Sequence, residues 1–576
     1  MKFFGALCVL CGVVFPAFAL DREAFIFTKY DLDVRVEPEQ QRLGVRGKIT
    51  LRNDSDSAQK NLVLQISSTL NWSSIQVDGK PVEFVSQIYN SDIDHTGALT
   101  EAIVTLPHPV GPKQAIELEV GYEGIIPQDA TRLMRIGAPA DVAKHSDWDQ
   151  IGKSFTAVRG IGYVTWYPVA TEAASLSEGN SVLDAVGRWK QRAAAAEMKI
   201  RFNHFGIAEN LPILFCSGRG QWVGDSQFGR VYSAMCECTL SKLGSVVPSF
   251  VIATYSVVDR PLVRISYLPE HKSGAENYAL AVEETAPLIN KWLGDHKEKP
   301  ETKAEVVELP DSDAAPFESD ALLLMPLTVK DSALLLSALQ QLTHVAFPSP
   351  RPWIYDGLAR YAQLGFLQER GGRPAVLDYL QSHRESLLAS EKQIATGTGN
   401  KPADHSLINA PDEFFVQAKA MSVWWMLRDL VGETALTAAL HNYKTSDDKA
   451  ASYMQKLIEV QTHRDLEWFF NDWVYRDRGL PDFRIDSVYP RQLPTGGYMV
   501  TVTVENLGDA GAEVPVILHM ENGEATQKVV VPGKSKAAVR IPAATMPQQV
   551  TVNDGSVPES DMSNNISKVE STPNTQ

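Results

Sequence analysis

Three stretches of the chain differ in the spacing of their apolar residues, and this difference predicts its organisation. From Tyr30 to about Tyr267, apolar and polar residues alternate, as in YDLDVRVEP and AIELEVGYEG, which is typical of half-buried β-strands. From about Pro269 the apolar residues recur every three or four positions, as in AENYALAVEETAPLINKWLG, which predicts helices. From about Arg484 to Ser567 the alternation returns in short segments. We therefore expect a multidomain α+β protein.

The 576 residues are too many for one core, and the pattern assigns three domains. We predict a large antiparallel β domain over 20–267, a mainly helical domain over 268–482 and a small β-sandwich over 483–568. The tail, 569–576, is polar and expected to fray. Two short strands in KAEVVELP and ALLLMPL precede helices that are expected to begin near Asp331, Pro352, Arg373, Glu413, Glu433 and Ala450.

The first residues, 1–19, have the composition of a signal peptide. Lys2 precedes an apolar run, and Ala17-Phe18-Ala19 has the small-x-small form of a cleavage site. A membrane anchor needs about 20 apolar residues, and this run is shorter. A lipid anchor at Cys11 is disfavoured because Leu10 is bulky. We expect a periplasmic or secreted protein with no transmembrane anchor after cleavage.

Charge and cysteine content limit the partners and the covalent links. The formal net charge is -16, which argues against nucleic acid, since phosphate binding needs clustered Lys and Arg. After cleavage three cysteines remain, and an oxidising compartment permits one disulfide, joining Cys216 to Cys236 or to Cys238. The pattern leaves open which pairing forms, and it leaves the oligomeric state open.

Two consecutive predicted helices carry the main candidate chemistry. They read SALLLSALQQLTHVAF and RPWIYDGLARYAQ, and together they resemble the paired active-site helices of the gluzincin aminopeptidases, also called membrane alanyl aminopeptidases. The resemblance implies a thermolysin-like helical domain. In that family the first helix carries His-Glu-x-x-His, which supplies two zinc ligands and a general base, and the next helix supplies a Glu as third ligand.

In this chain most of the positions that would bind zinc and activate water differ from the family pattern. Gln340 replaces the first His, Gln341 replaces the general base, His344 is retained, and Asp356 replaces the ligand Glu. An amide oxygen is a poor zinc ligand, and an amide cannot accept the proton of an attacking water. Eleven residues separate His344 from Asp356, where the family has about eighteen.

Other segments follow the family's order along nearly the whole mature chain. EFFVQAKAMSVWWMLRDLVG resembles the helix with an oxyanion-stabilising Tyr, which Gln417 replaces here. APFESDALLLMP resembles the strand that holds the substrate's amino terminus, with Glu318 at the substrate-binding Glu. WFFNDWVYRDRGLPDF and VNDGSVPESDMSNN also resemble later family segments.

These observations favour a pseudopeptidase that binds a peptide or a protein partner through the former active-site cleft. On this interpretation no residue is assigned a catalytic or metal-binding role, and no cofactor is expected. One alternative is an active zinc aminopeptidase with atypical ligands, namely His344, Asp356 and a further carboxylate such as Glu318. Another alternative is a purely structural protein whose β domains offer exposed edges to partners.

Overall fold

The computed structural model of the protein describes residues 20–207, 209–294, 303–329, 331–396, 406–476 and 478–569. The predicted signal peptide, 1–19, lies outside these ranges, and so does nearly all of the tail predicted to fray. No helix within them has an apolar stretch long enough to cross a lipid bilayer.

The N-terminal part is rich in sheet. An eight-stranded sheet has the order β12-β13-β10-β1-β2-β8-β4-β5, and two three-stranded sheets have the orders β3-β7-β6 and β11-β14-β9. In the large sheet β1 and β10 are parallel and the other described pairs are antiparallel. The strands are β1 Phe25–Glu37, β2 Arg42–Asn53, β3 Gln59–Ser67, β4 Leu70–Val77, β5 Lys80–Pro81, β6 Phe84–Asn90, β7 Ala98–Val110, β8 Ala115–Ile125, β9 Phe155–Val158, β10 Glu197–Ile207, β11 Ile213–Cys216, β12 Arg219–Phe228, β13 Val231–Leu240 and β14 Phe250–Ala253.

The alternation that predicted these strands reflects burial of one face. Tyr30, Leu32, Val34 and Val36 of β1 are all fully buried, while the residues between them are exposed or half-buried. The structure also bonds Cys216 to Cys238, one of the two pairings left open by the sequence, and leaves Cys236 as a buried free thiol.

Three helices of this part were not predicted from the alternation: α1 Thr131–Arg135, α2 Ala140–Ser146 and α3 Ser181–Ala193. Helix α3 packs closely against the chain before residue 413. A Cβ at Gly187 would lie 1.9 Å from the carbonyl oxygen of Pro411, so only glycine permits this approach. The contact places α3 beside the helical middle of the molecule.

The middle of the chain is mainly helical around one small sheet, whose order is β15-β16-β17-β19-β18. Its elements are β15 Ser256–Asp259, β16 Val263–Tyr267, α4 Lys272–Leu293, β17 Ala304–Glu308, β18 Phe317–Ser319, β19 Leu322–Met325, α5 Asp331–Ala346, α6 Pro352–Thr396, α7 Glu413–Val431, α8 Glu433–His441, α9 Tyr453–Thr462 and α10 Glu467–Phe470. Strands β15 and β16 lie before the predicted boundary at residue 267, yet β16 pairs in parallel with β17. Helix α4 makes the crossover that such a parallel pair requires.

Local sequence signals explain where these helices begin and end. Gly372 has a φ of 68° and interrupts α6, so a second helical segment begins at Arg373. Gly432, with a φ of 86°, ends α7, and its N–H bonds the carbonyl of Arg428. At its other end α7 is capped by the Asp412 carboxylate, which accepts from two backbone N–H groups.

The C-terminal strands form two sheets, β20-β21-β24 and β23-β22-β25-β26, whose buried valines share one apolar core with the helical region. The strands are β20 Phe483–Gln492, β21 Tyr498–Asn506, β22 Ala512–Met520, β23 Gly523–Val531, β24 Lys536–Ala543, β25 Gln549–Val552 and β26 Ile566–Lys568. Trp473 is fully buried and donates to the carbonyl of Gly511, which ties the end of the helical region to these sheets.

Candidate functional site

Helix α5 presents Gln340 and His344, one turn apart, to the edge strand β18. The Nε2 of Gln340 donates to Glu318 Oε2 over 2.7 Å, and His344 Nδ1 lies 2.8 Å from Glu318 Oε1. The sequence predicted that these three residues share a site, and the structure brings them together. Both oxygens of Glu318 are already engaged by α5, so a bound ammonium would have to use their remaining lone pairs.

The second nitrogen of His344 faces helix α6. His344 Nε2 lies 3.7 Å from Asp356 Oδ1, beyond hydrogen-bond distance, and this buried nitrogen has no hydrogen-bond partner among the described residues. The imidazole stacks on the ring of Tyr355, with centroids 4.0 Å apart. Burial lowers the pKa of His344, but the charge and hydrogen bond of Glu318 outweigh it, and the pKa is raised.

Gln341 does not face this cluster. Its side chain is fully buried on the other side of α5, where Oε1 accepts from the Tyr278 hydroxyl over 2.9 Å. Its Nε2 donates to the backbone carbonyls of Glu305, at 3.0 Å, and Ala321, at 3.2 Å. The residue in the place of a general base therefore ties α5 to α4 and to the strands of the small sheet.

The short link between α5 and α6, residues 347–351, still places Asp356 next to His344. The side chain of Asp356 is only 14% exposed, and burial together with the charge of Glu413 raises its pKa to about 7. Glu413 is paired with Lys190 of α3 at 2.8 Å, and the Lys190 ammonium lowers the pKa of the Glu413 carboxyl. Glu413 is half exposed at 52%, so part of its charge is screened by solvent.

Gln417, in the place of the oxyanion-stabilising Tyr, lies one turn after Glu413 on α7. It accepts from the Arg360 guanidinium over 3.1 Å and donates to Glu413 over 3.4 Å. Side chains of α3, α5, α6, α7 and β18 thus form one group of polar contacts at the place where the resemblance implies a substrate cleft, and we call this group the α5–α7 cleft. Its described members are Lys190, Glu318, Gln340, His344, Asp356, Arg360, Glu413 and Gln417.

A different cluster has the composition of a metal site. Within the described parts of the chain, only His145, Asp311 and Asp313 bring three His, Cys or carboxylate ligand atoms within 4.8 Å of one another. Sequence reasoning missed this cluster, because 166 residues separate His145 from Asp311 and no local spacing signals it.

Comparison with known proteins supports the fold and goes no further. No family model matches the chain, and no curated protein matches it. Among solved structures, Legionella pneumophila aminopeptidase A in complex with aspartic acid is similar over 93% of this chain and 59% of its own, with a TM-score of 0.57 and 12% identity. A mutant M1 zinc metallopeptidase from Deinococcus radiodurans, bound to a Tyr-Ser-Ala substrate, is similar over 80% of this chain and 96% of its own, with a TM-score of 0.46 and 16% identity.

The fold is therefore similar to that of the Legionella aminopeptidase, and it has a sheet-rich N-terminal part and a helical middle. The similar region spans 59% of the length of the Legionella protein. At 12% identity this similarity describes the fold alone, and the activity has to be argued from the cleft.

Proposed function

We propose that this chain is an exported, aminopeptidase-like pseudopeptidase that binds a peptide, or an exposed chain terminus of a protein, in the α5–α7 cleft. The observation that carries this proposal is the role of Gln341. An amide at this position cannot act as a general base. Its three hydrogen bonds hold the side chain against α4 and the small sheet, away from His344. The aminopeptidase-like architecture supports the location of the cleft.

The donor set of the cleft does not fit a catalytic zinc ion. Such an ion needs three protein ligands and an open position. Here His344 Nε2 and Asp356 Oδ1 face each other, while Glu318 is turned to the other imidazole nitrogen and Gln340 directs its amide nitrogen at Glu318. Two ligand atoms remain where three are required, which supports binding without hydrolysis.

The chemistry of the cleft favours a ligand with a free amino terminus. Three carboxylates, those of Glu318, Asp356 and Glu413, lie within one partly desolvated region and can accept hydrogen bonds from an ammonium group. Arg360 and Gln417 lie next to them and carry donors and an acceptor suited to a peptide backbone. An amino-terminal peptide would compete with Lys190 for the half-exposed Glu413.

Binding can be measured by titrating the protein with a library of short peptides, each prepared with a free and with an acetylated amino terminus. We expect acetylation and the Glu413→Gln substitution each to weaken binding about tenfold or more, because each removes a charge-assisted hydrogen bond. Glu237→Gln is the matched control, since Glu237 pairs with Lys199 at 2.9 Å outside the cleft. Affinities that neither acetylation nor Glu413→Gln changes would contradict binding at this site.

The same preparation tests the absence of hydrolysis. We expect no release of amino acids from aminoacyl amides beyond that of a sample carrying His344→Gln. Chelator-sensitive hydrolysis that His344→Gln abolishes would overturn the pseudopeptidase proposal in favour of the atypical zinc enzyme.

A further inference from the structure

We propose that His145, Asp311 and Asp313 form a divalent metal site outside the α5–α7 cleft, and that this site takes a transition metal such as Zn²⁺. The three side chains bring one imidazole nitrogen and two carboxylate oxygens within 4.8 Å of one another. None of these residues belongs to the α5–α7 cleft. The proposal is therefore independent of whether the cleft binds peptides.

Two hydrogen bonds hold the two contributing segments together in addition to the contact between His145 and Asp311. His145 lies in the last turn of α2, and its carbonyl accepts from the N–H of Ala315 over 2.8 Å. In return the indole of Trp148 donates to the carbonyl of Ala315 over 3.0 Å. These bonds fix the loop between β17 and β18 against the end of α2, so the ligand groups are already assembled in the folded protein.

The charges in the cluster favour a cation. Neither Asp311 nor Asp313 forms an ion pair with a Lys or Arg among the described residues, and His145 Nδ1, 2.6 Å from Asp311 Oδ2, is the ionic partner of Asp311. Two carboxylates facing one imidazole leave a net negative charge at this point of the surface.

The ligand types indicate which metal binds. Ca²⁺ and Mg²⁺ select oxygen ligands, whereas an imidazole with two carboxylates suits Zn²⁺ and related transition metals. His145 and Asp311 are each 36% exposed and Asp313 is exposed, so water can complete the coordination sphere and the ion can enter directly. Such an open three-ligand site is expected to bind its metal reversibly.

Metal binding here would act on the strand that enters the cleft. Asp313 precedes Glu318 of β18 by five positions, and α2 belongs to the sheet-rich N-terminal part. A metal held by both segments would link that part to the loop that positions β18. Loaded protein should therefore show slower hydrogen exchange over residues 311–319 than metal-free protein.

Isothermal titration of the purified protein, without a histidine tag, with Zn²⁺ tests the site. We expect one Zn²⁺ per chain, with binding at least tenfold weaker in Asp313→Asn because this variant loses one of the three ligands. Asp313 is exposed and its replacement leaves the His145–Asp311 pair intact, so this variant is expected to fold. The matched control is Asp225→Asn, an exposed aspartate of β12.

Variants also separate this site from the cleft. Zinc bound as proposed persists in His344→Gln and is lost in His145→Gln. Three results would overturn the proposal: no Zn²⁺ binding in the micromolar range, which leaves an ion pair only; binding lost in His344→Gln but kept in His145→Gln; or equal binding of Ca²⁺ in wild type and His145→Gln.

Discussion

Two buried carboxylates in different regions of the molecule have the same raised pKa but very different surroundings. Burial raises the pKa of Glu559, in the turn after β25, to about 7, and burial followed by the charge of Glu413 raises that of Asp356 to about 7. Glu559 is fully buried and accepts from the Phe483 N–H over 3.0 Å, from Asn553 over 2.7 Å and from Asn565. Its hydrogen bonds join the loop after β25 to the start of β20.

Asp356 has no comparable set of donors. The nearest one, His344 Nε2, lies 3.7 Å away and itself lacks a hydrogen-bond partner among the described residues. Buried polar groups in folded proteins are normally satisfied, and exceptions require an explanation. In the turn around Glu559 each carboxylate oxygen accepts a hydrogen bond, whereas in the α5–α7 cleft His344 Nε2 has no hydrogen-bond partner among the described residues. This difference is the reason for placing ligand binding in the cleft.

The largest effect on the free energy of unfolding is expected from a substitution in the turn around Glu559. In Asn553→Ala the turn loses donors to Val557 and Glu559 and an acceptor for two backbone N–H groups. Alanine must also adopt the positive φ of 61° found at this residue. We expect the free energy of unfolding to fall by about 3 kcal/mol or more, measured by urea denaturation. Asn442→Ala, at an exposed asparagine that ends α8, should change it by less than about 0.5 kcal/mol.

A smaller loss is expected from restoring the family's general base. Gln341→Glu would turn a carboxylate toward the carbonyls of Glu305 and Ala321, which now accept from the amide nitrogen at 3.0 and 3.2 Å. Two acceptors would then face a buried acid, and we expect a loss of about 2–3 kcal/mol in the free energy of unfolding. The control Gln381→Glu lies on an exposed face of α6. If Gln341→Glu folded with undiminished stability and conferred hydrolysis, Gln341 would not be a structural residue.

The sequence predicted most of the helix starts in the middle of the chain, because the signals for these starts are local. The helix starts at Asp331, Pro352, Arg373, Glu413 and Glu433 follow from periodicity, from prolines and from glycines that end the preceding helix. The multidomain α+β class, with strands before helices, is seen in the sheet-rich N-terminal part and the helical middle. The assignment of the family rested on the order of motifs, and the architecture agrees with it.

What the sequence did not provide depends on contacts between distant segments. Lys190 pairs with Glu413 across 223 positions, and α3, which carries it, lies in a region whose alternation predicted only strands. The motif alignment placed Gln341 at the position of the general base. It did not predict that an amide at this position would turn away from His344 and bond Tyr278 and the backbone of the small sheet. The domain limits and the roles of individual site residues stay predictions.

The smallest effect is expected on the pH dependence of the free energy of unfolding, to which Asp356 contributes through its raised pKa. The folded state holds the Asp356 proton up to a pH of about 7, while an unfolded aspartate releases it near pH 4. The folded state therefore binds more protons between these values, and this group contributes a free energy of unfolding that falls as the pH rises from about 4 to about 7.

Asp356→Asn removes that contribution and keeps the shape of the side chain. Urea midpoints measured from pH 4.5 to pH 8 should fall less steeply in Asp356→Asn than in the wild type. Three full pKa units would correspond to about 4 kcal/mol, but solvent screens part of the charge of Glu413, so we expect the variant to gain on the order of 1 kcal/mol at pH 8. Glu559 titrates in the same window but is unchanged in both proteins, so it cancels in the difference. Asp141→Asn, at an exposed aspartate of α2, is the control and should follow the wild-type curve. A wild-type slope in Asp356→Asn would mean that the pKa of Asp356 is not raised in the folded protein, and that burial and the charge of Glu413 do not act on this carboxylate.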